Sequence, residues 1–424
     1  MPFFCIFAQS RNIITNSAIK QTNMKTEQPF CLQVAIVGGG AAGFFTAIRL
    51  KEIMGSNVRV TILESGERVL RKVEISGGGR CNCTNSFALV TDLQQVYPRG
   101  HRLMKRLMKG FSQKDAYEWF EQHGVKLTTQ EDECVFPQTQ DSHTIINMFL
   151  HEARQLGIEI KTKQKITSLD TLKDFDCIVI AIGGSPREEN IKWLQHEIVT
   201  PIPSLFTFTI NDKQLHELMG TVAEHATAML PGTKMRSEGP LLVTHWGMSG
   251  PCILRLSSYA ARLLAEHNYQ MPLSINWTSH TEAEMHNELL GITIRNTQKM
   301  VMTIRPFNIT QRLWSYLVQK SLGNERCNCR WGELSKKELN RLTNNLINDT
   351  YQIAGRAPFK DEFVTCGGIS LSAIDASTLE SKNTPGLYFT GEILDIDGVT
   401  GGFNFQAAWT TANTVAEAIS RKIQ

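Results

Sequence analysis

Three glycines between two apolar stretches have the types and the spacing to bind a dinucleotide. Gly38, Gly40 and Gly43 follow the apolar run VAIV, and Glu64 ends a second apolar run, VRVTIL. In such a pattern the first glycine permits a tight turn, the second lets a diphosphate approach the backbone, and the third lets a helix pack closely on a strand. Glu64 is placed to accept hydrogen bonds from a ribose. The pattern favours a dinucleotide site over a strand–helix–strand unit without a ligand.

For these residues to bind a dinucleotide, a strand must end at Gly38 and a helix must begin within the glycine motif. The run before Gly38 is rich in β-branched residues, and an apolar helical segment begins near Ala41. The free N–H groups and the positive end of that helix would then receive the diphosphate.

A second glycine-rich stretch follows at 65–85. It contains three consecutive glycines at 77–79, fixed positive charges at Arg71, Lys72 and Arg80, and side-chain amides at Asn82 and Asn85. Charges, backbone donors and amides in one loop are suited to holding an anion. The alternative is a flexible basic surface loop, and the position just beyond the first glycine motif favours the anion site.

The end of the chain returns to the same kind of sequence. A buried strand at 176–182 ends in a glycine pair, the strand near 386–390 ends at Gly391 and Glu392, and TGGFN opens a final helix. The N–H groups at Gly401, Gly402 and Phe403 could stabilise negative charge on a reduced ring. The nucleotide-binding domain is therefore expected to be discontinuous and closed by both ends of the chain.

Length and composition limit the possible classes of protein. A chain of 424 residues with a net charge of +3 predicts two or three domains and shows no concentrated basic face for nucleic acid. The basic clusters at 99–109 and 336–341 are interpreted as solvated helix faces. No apolar run reaches the roughly 18–20 residues of a membrane span. We therefore expect neither a nucleic-acid partner nor a membrane.

The ten cysteines are scattered, which favours free thiols in a reducing compartment, the cytoplasm. The CxC pairs at 81–83 and 327–329 leave one residue between the thiols, whereas zinc ligands usually have two to four. No metal site is expected.

The pattern also suggests how the chain is divided. Residues 1–30 are expected to be a disordered or mis-started tail, in which residues 1–23 would precede a true start at Met24. Residues 31–192 and 358–424 would form the nucleotide-binding domain, with paired strands near 158–169. Residues 193–357, where β runs alternate with helical sequence, would form an inserted domain with a helical part at about 280–349.

Several motifs together resemble those of a known family. GRCNCTN, GGISLSAIDASTLESK and GLYFTGEILDIDGVTGGFNFQAAW are similar to the YhiN-type (BaiN/RdsA-type) NAD(P)/FAD-dependent oxidoreductases, over about 32–418. The resemblance implies an α/β fold: a Rossmann-like FAD-binding domain of the two-dinucleotide-binding kind, with an inserted β-barrel-like domain and a helical subdomain. The usual family pattern has Val at Cys83, Tyr at Phe403 and Gly at Ala412.

The resemblance also implies which residues bind FAD. The diphosphate and the adenosine ribose would contact the first motif, the loop at 71–82 would line the diphosphate and the approach to the flavin, and the remaining residues would lie along the adenosine, the ribityl chain and the ring. The implied residues are Gly38, Gly40, Ala41, Ala42, Gly43, Glu64, Arg71, Lys72, Gly78, Gly79, Arg80, Asn82, Ile166, Ala181, Gly183, Gly391, Glu392, Gly401, Gly402, Phe403 and Asn404.

The expected function is an FAD-dependent oxidoreductase. It would transfer a hydride between NADH, NADPH or an organic substrate and a small-molecule acceptor, such as an unsaturated carbonyl compound or oxygen. A flavin-binding redox sensor or binding module with little turnover is the alternative, and a tRNA-modifying flavoenzyme ranks below both. His245, in the turn THWGMSGP, is a candidate catalytic residue or a structural hydrogen-bonding residue.

Overall fold

The structure is a computed structural model that describes residues 31–185, 187–358 and 364–422. The expected tail at 1–30 lies outside these residues.

Sixteen strands occur in the described part of the chain. They are β1 (Leu32–Val37), β2 (Val58–Leu63), β3 (Thr84–Asn85), β4 (Leu127–Thr129), β5 (Cys134–Pro137), β6 (Glu159–Lys161), β7 (Cys177–Ile180), β8 (Ile198–Ser204), β9 (Phe208–Ile210), β10 (Val222–Met229), β11 (Arg236–Val243), β12 (Gly247–Ser249), β13 (Pro272–Asn276), β14 (Asp349–Arg356), β15 (Val364–Ile369) and β16 (Leu387–Phe389).

Twelve α-helices connect and cover these strands. They are α1 (Ala41–Met54), α2 (Arg71–Gly79), α3 (His101–Leu107), α4 (Gln113–Gln122), α5 (His143–Gln155), α6 (Lys213–His216), α7 (Pro251–Tyr259), α8 (Ala261–Glu266), α9 (Glu282–Arg295), α10 (Gln311–Leu322), α11 (Lys336–Ile347) and α12 (Phe403–Arg421). Capping boxes begin α4 at Ser112, α9 at Thr281 and α11 at Ser335, where each side chain accepts from a free backbone N–H.

A five-stranded parallel sheet carries the first glycine motif. Its order is β16-β7-β1-β2-β6, so the last strand of the chain pairs beside β7. The central strands β1 and β2 are apolar runs buried at nearly every position, as is typical of parallel sheets, whereas the edge strand β6 is mostly exposed. α1 and α12 pack together, with Phe45 against Trp409 at 5.3 Å between ring centroids. Two helices from distant parts of the sequence, α1 and α12, thus pack together.

A second core lies in a closed barrel of order β10-β11-β12-β9-β14-β13, with neighbouring strands antiparallel. The helices α9, α10 and α11 pack beside it, and their core includes Trp314 and Trp331. The α/β class, the Rossmann-like sheet, the barrel and the helical region are confirmed. The domain boundaries remain a prediction.

The two cores are joined by β8 and β15, which pair antiparallel. One local expectation was wrong. Residues 158–169 do not form paired strands, because β6 pairs parallel with β2 and the chain then runs irregularly to a 3₁₀ turn at Leu169–Leu172. Alternation over a few residues cannot distinguish a hairpin from one edge strand.

Candidate functional site

The glycines of the first motif each meet a different requirement. At Gly38 the backbone has φ +115°, and an added Cβ would lie 2.3 Å from the carbonyl oxygen of Ala181. At Gly43 a Cβ would lie 2.0 Å from the carbonyl oxygen of Gly38. At Gly40, by contrast, a Cβ would meet no atom within 4 Å. Gly38 and Gly43 are therefore needed by the fold, while Gly40 borders open space.

That open space lies at the start of α1. Gly40 is the N-cap, and no side chain caps the helix. The first turn, which includes Ala41 and Ala42, has no internal partners for its N–H groups and carries the positive end of the helix dipole. An anion fits here without displacing a protein group.

The carboxylate of Glu64 fixes the glycine turn through hydrogen bonds to the backbone. It accepts from the N–H of Gly39 at 2.8 Å and from the N–H of Gly66 at 2.6 Å. The backbone carbonyl of Glu64 accepts from the N–H of Gln164 at 2.8 Å, which brings Ile166 to the same end of the sheet. Contacts of Glu64 with a ribose and of Ile166 with an adenine remain predictions.

The second glycine stretch has a helical start and an open end. α2 begins at Arg71, which is exposed, and its backbone kinks at Ser76. Gly77, Gly78 and Gly79 then take positive φ angles of 58°, 68° and 82°. A Cβ at Gly78 or Gly79 would meet nothing within 4 Å. These two glycines again leave their backbone accessible to a ligand.

Arg80 is held by residues of another segment, β5 and the turn that follows it. Its guanidinium lies 4.2 Å from the ring centroid of Phe136 and donates to the side-chain oxygen of Gln140 at 3.3 Å. The side chain is half-buried, so its charge is fixed beside the glycines.

Lys72 and Glu392 join the two ends of the chain. The ammonium of Lys72 donates to Oε2 of Glu392 at 2.8 Å, and Oε1 accepts from the N–H of Thr365 at 2.9 Å. Burial acts to raise the pKa of Glu392. The charge and hydrogen bond of Lys72, followed by the N–H groups of Thr365 and Gly184, outweigh burial and lower that pKa. The carboxylate therefore stays ionised and holds three loops together.

Gly183 and Gly391 lie in two of these loops. Gly183 has φ +75°, and a Cβ added to it would lie 3.8 Å from Oε2 of Glu392. A Cβ at Gly391 would lie 2.8 Å from the Cβ of Ala42 on α1. The predicted residues at 42, 183, 391 and 392 are thus neighbours.

The start of α12 meets the loop at 82–85. Gly402 is its N-cap with φ +88°, and no side chain caps the helix. An added Cβ would lie 2.2 Å from the carbonyl oxygen of Thr84. With its amide oriented to satisfy both groups, Asn82 accepts from the N–H of Gly402 at 3.2 Å, and Asn85 donates to the carbonyl of Gly401 at 3.0 Å. Residues expected near the ring from both chain ends are brought together.

Two predicted residues have structural side-chain contacts at this helix start. The ring of Phe403 is buried and packs edge-on against Phe87 at 5.1 Å and Tyr97 at 6.1 Å between centroids. The amide of Asn404 accepts from the N–H of Gly398 at 2.8 Å and donates to its carbonyl at 2.9 Å. Any flavin contact of these two residues is a proposal that rests on their backbone.

His245 lies in the barrel, and its catalytic role stays a prediction. It is exposed in the turn between β11 and β12, and its ring lies 4.9 Å from that of Trp246. The carbonyl of Trp246 accepts from the N–H of Ile210 at the far end of β9, beyond the point where the chain enters the barrel.

Sequence reasoning missed the junction between the two cores. Arg99 donates to the buried Asp397 through Nε at 2.5 Å and to the carbonyl of Ser258 on α7 at 2.8 Å. The hydroxyl of Ser204 donates to Asp397 at 3.3 Å. Burial raises the pKa of Asp397, although Arg99 opposes the rise. The segment LDIDG carried the signal, because two acids in an apolar run are rarely buried unpaired.

The open backbone at Gly40, Gly78 and Gly79 and the uncapped starts of α1 and α12 fit an FAD molecule with its diphosphate at the first motif. No group of three or more His, Cys, Asp or Glu residues suited to a metal occurs within 31–185, 187–358 and 364–422. None of the helices in that part of the chain combines the length and apolar character needed to cross a bilayer.

Residues 32–418 match a family model described as the HI0933-like protein Rossmann domain. The chain belongs to the HI0933-like family. This confirms the resemblance seen in the sequence and the class of FAD-dependent oxidoreductase.

Three curated relatives align along nearly their whole length. A ribosomal RNA dihydrouridine synthase of Haemophilus influenzae is 25% identical over 414 residues, covering 91% of this chain and 98% of the relative. A 3-dehydro-bile acid delta(4,6)-reductase of Clostridium scindens is 24% identical over 420 residues, covering 92% and 99%. A ribosomal RNA dihydrouridine synthase of Escherichia coli is 26% identical over 418 residues, covering 90% and 96%.

Proposed function

We propose that this protein is an FAD-dependent reductase of carbon–carbon double bonds conjugated to a carbonyl group, with NADH or NADPH as electron donor. The names of the relatives support this choice, since both describe hydrogenation of such a bond. A uracil ring and a 3-keto steroid share the conjugated C=C–C=O unit. The acceptor class is therefore narrower than the sequence alone allowed.

The residues at the ends of the parallel strands would hold the cofactor. The first-motif residues Gly38, Gly40, Ala41, Ala42 and Gly43 would bind the diphosphate, and the carboxylate that fixes their turn would also meet the ribose. FAD supplies two-electron chemistry, accepting a hydride and passing it on.

The observation that carries the proposal is the uncapped start of α12 beside the loop at 82–85. Asn82 accepts from the N–H of Gly402 and Asn85 donates to the carbonyl of Gly401, so the two amides fix the backbone just before α12. The N–H groups of the first turn of α12 have no partner within the helix, and no side chain caps them. Free N–H groups at a helix start stabilise negative charge, which a flavin ring gains on reduction. The arrangement suits a reaction in which the reduced cofactor must persist until the acceptor binds.

A uridine in ribosomal RNA is the second candidate acceptor. It is favoured by the two relatives named as ribosomal RNA dihydrouridine synthases, each covered to 96% or more. Modification of RNA, which the overall charge of the chain made the least favoured function, is therefore considered again. A small unsaturated ketone remains the first candidate.

Anaerobic reduction tests the proposal. The purified yellow protein is mixed with NADH or NADPH, and flavin bleaching is followed at its visible band. An α,β-unsaturated ketone is then added. Rapid bleaching, followed by recolouring and a product heavier by two hydrogens, is expected. Bleaching without recolouring by any unsaturated carbonyl compound, or no bleaching by either nicotinamide, would favour the redox-sensor alternative.

A further inference from the structure

The cluster at 99–109, which the sequence alone led us to interpret as a solvated helix face, places four exposed cations on one side of α3 and its following turn. Arg102, Lys105, Arg106 and Lys109 follow the i, i+3, i+4, i+7 spacing of a single helix face, and all four are exposed. Leu103, Met104 and Leu107 are buried on the opposite side. Residues 99–114 contain six Lys or Arg residues and no Asp or Glu. The four cations of this face, which we call the α3 face, exceed the +3 charge of the whole chain.

The α3 face has no acidic partner of its own. No ion pair joins any of its four cations to a carboxylate among the residues that the structure describes, whereas Arg326 pairs with Glu338 and Lys320 with Asp349. Like charges three or four positions apart on a helix destabilise it by roughly 0.2–0.5 kcal/mol per pair. The isolated face is therefore self-repulsive, and an anion bound across it would remove the repulsion.

The α3 face adjoins the candidate site. A Cβ at Gly100, the N-cap of α3, would lie 2.7 Å from the side chain of Ile396. The N–H of Val399 donates to the carbonyl of Val96 at 2.9 Å. The segment leading into α3 thus packs along 396–399, directly before Gly401. α3 also packs against α12, so the α3 face belongs to a helix in contact with the helix whose start forms part of the candidate site.

We propose that the α3 face binds the phosphodiester backbone of an RNA whose base is reduced at the neighbouring site. The proposal rests on the second candidate function. An RNA strand supplies a row of phosphates to a row of cations, and these contacts fix position without reading sequence. A small-molecule acceptor gives such a row of unpaired cations no role.

Salt-dependent binding of RNA tests the proposal without any turnover. A variant with Arg102→Gln, Lys105→Gln, Arg106→Gln and Lys109→Gln is compared with the wild-type protein by anisotropy of a fluorescein-labelled single-stranded RNA. The slope of log K against log salt is negative, and each lost contact reduces its magnitude by about 0.7, so four lost contacts reduce it by about 3. The matched control replaces exposed cations elsewhere: Lys299→Gln, Lys336→Gln, Lys337→Gln and Arg341→Gln.

The expected result is a reduced slope for the α3 variant, a wild-type slope for the control variant, and unchanged flavin content in both. Equal slopes for the α3 variant and the wild-type protein would overturn the proposal, as would an equal loss in the control variant. Unchanged bleaching by the nicotinamide shows that the fold is intact. In a separate incubation of the RNA with wild-type protein and NADH or NADPH, a lack of dihydrouridine together with a reduced slope for the α3 variant would retain the surface and reject the second candidate function.

Discussion

Gly40→Ala separates what the fold needs from what the cofactor needs. The backbone at Gly40 has φ −93° and ψ −168°, an extended conformation that alanine adopts readily. The added methyl meets no protein atom within 4 Å. Replacing glycine stabilises the protein by about 0.4–1 kcal/mol through the unfolded chain. Losing glycine at an N-cap costs about as much. The free energy of unfolding of the apoprotein is therefore expected to stay within about 1 kcal/mol of wild type.

FAD binding should change much more. If the diphosphate lies against Gly40, the methyl occupies its path, and such overpacking typically costs about 1–3 kcal/mol. That range corresponds to a roughly 5- to 150-fold increase in Kd. Apoprotein would be titrated with FAD and followed by quenching of flavin fluorescence, and thermal unfolding of the same apoprotein would be recorded.

Two further variants serve as controls. Gly110→Ala makes the same change in the exposed turn after α3, outside the glycine motifs, and should leave the affinity for FAD unchanged and the unfolding free energy within about 1 kcal/mol of wild type. Gly43→Ala places a methyl 2.0 Å from a backbone oxygen and should destabilise the apoprotein. Wild-type affinity for FAD in Gly40→Ala would refute the position assigned to the diphosphate. A strongly destabilised Gly40→Ala apoprotein would refute the open space itself.

Three other changes test other parts of the structure. Gly402→Ala should lower the unfolding free energy by about 1–3 kcal/mol, because φ is +88° and the carbonyl oxygen of Thr84 blocks the methyl group. The variant should also retain less flavin. A stable, fully yellow variant would contradict this prediction. Asp349→Ala should lower the unfolding free energy, measured with denaturant, by about 3–5 kcal/mol. It leaves Lys320, whose Nζ donates to Asp349 at 2.5 Å, and Trp277 without their acceptor. A loss below about 1 kcal/mol would count against a buried ion pair. His123 is expected to make stability depend on pH. Burial acts to lower the pKa of His123, but Glu52 at 2.8 Å and the carbonyl of Trp119 raise it above 6.5 overall. Its contribution is thus full below pH 6.5 and lost as pH rises through the folded pKa. Unfolding of wild type and His123→Gln at several pH values should differ most on the acidic side, and a constant difference would refute the assignment.

The sequence predicted the parts of the fold in which local pattern and tertiary structure agree. The run before Gly38 is a strand because apolar β-branched residues fill a parallel sheet. The helix predicted at Ser142–Leu156 is found at His143–Gln155. The glycine spacing anticipated three conformational roles that the structure distinguishes by distance.

Other features depend on contacts between distant residues and could not be read from the sequence. The pairing of Lys72 with Glu392 joins residues 320 positions apart, and nothing near either residue specifies its partner. The burial of the Phe403 ring depends on Phe87 and Tyr97, so the ring position could not follow from the motif. His245 was selected for its chemistry alone; it lies in the turn between β11 and β12 of the barrel, and its role stays a prediction.

The released flavin tests the central claim most directly. Purified wild-type protein and Gly40→Glu are denatured, and the supernatants are analysed by chromatography against FAD and FMN standards. We expect one FAD per wild-type chain and little or none from Gly40→Glu, because a carboxylate would stand where the diphosphate must lie. Release of FMN, which has no diphosphate, or equal FAD from both proteins, would contradict it.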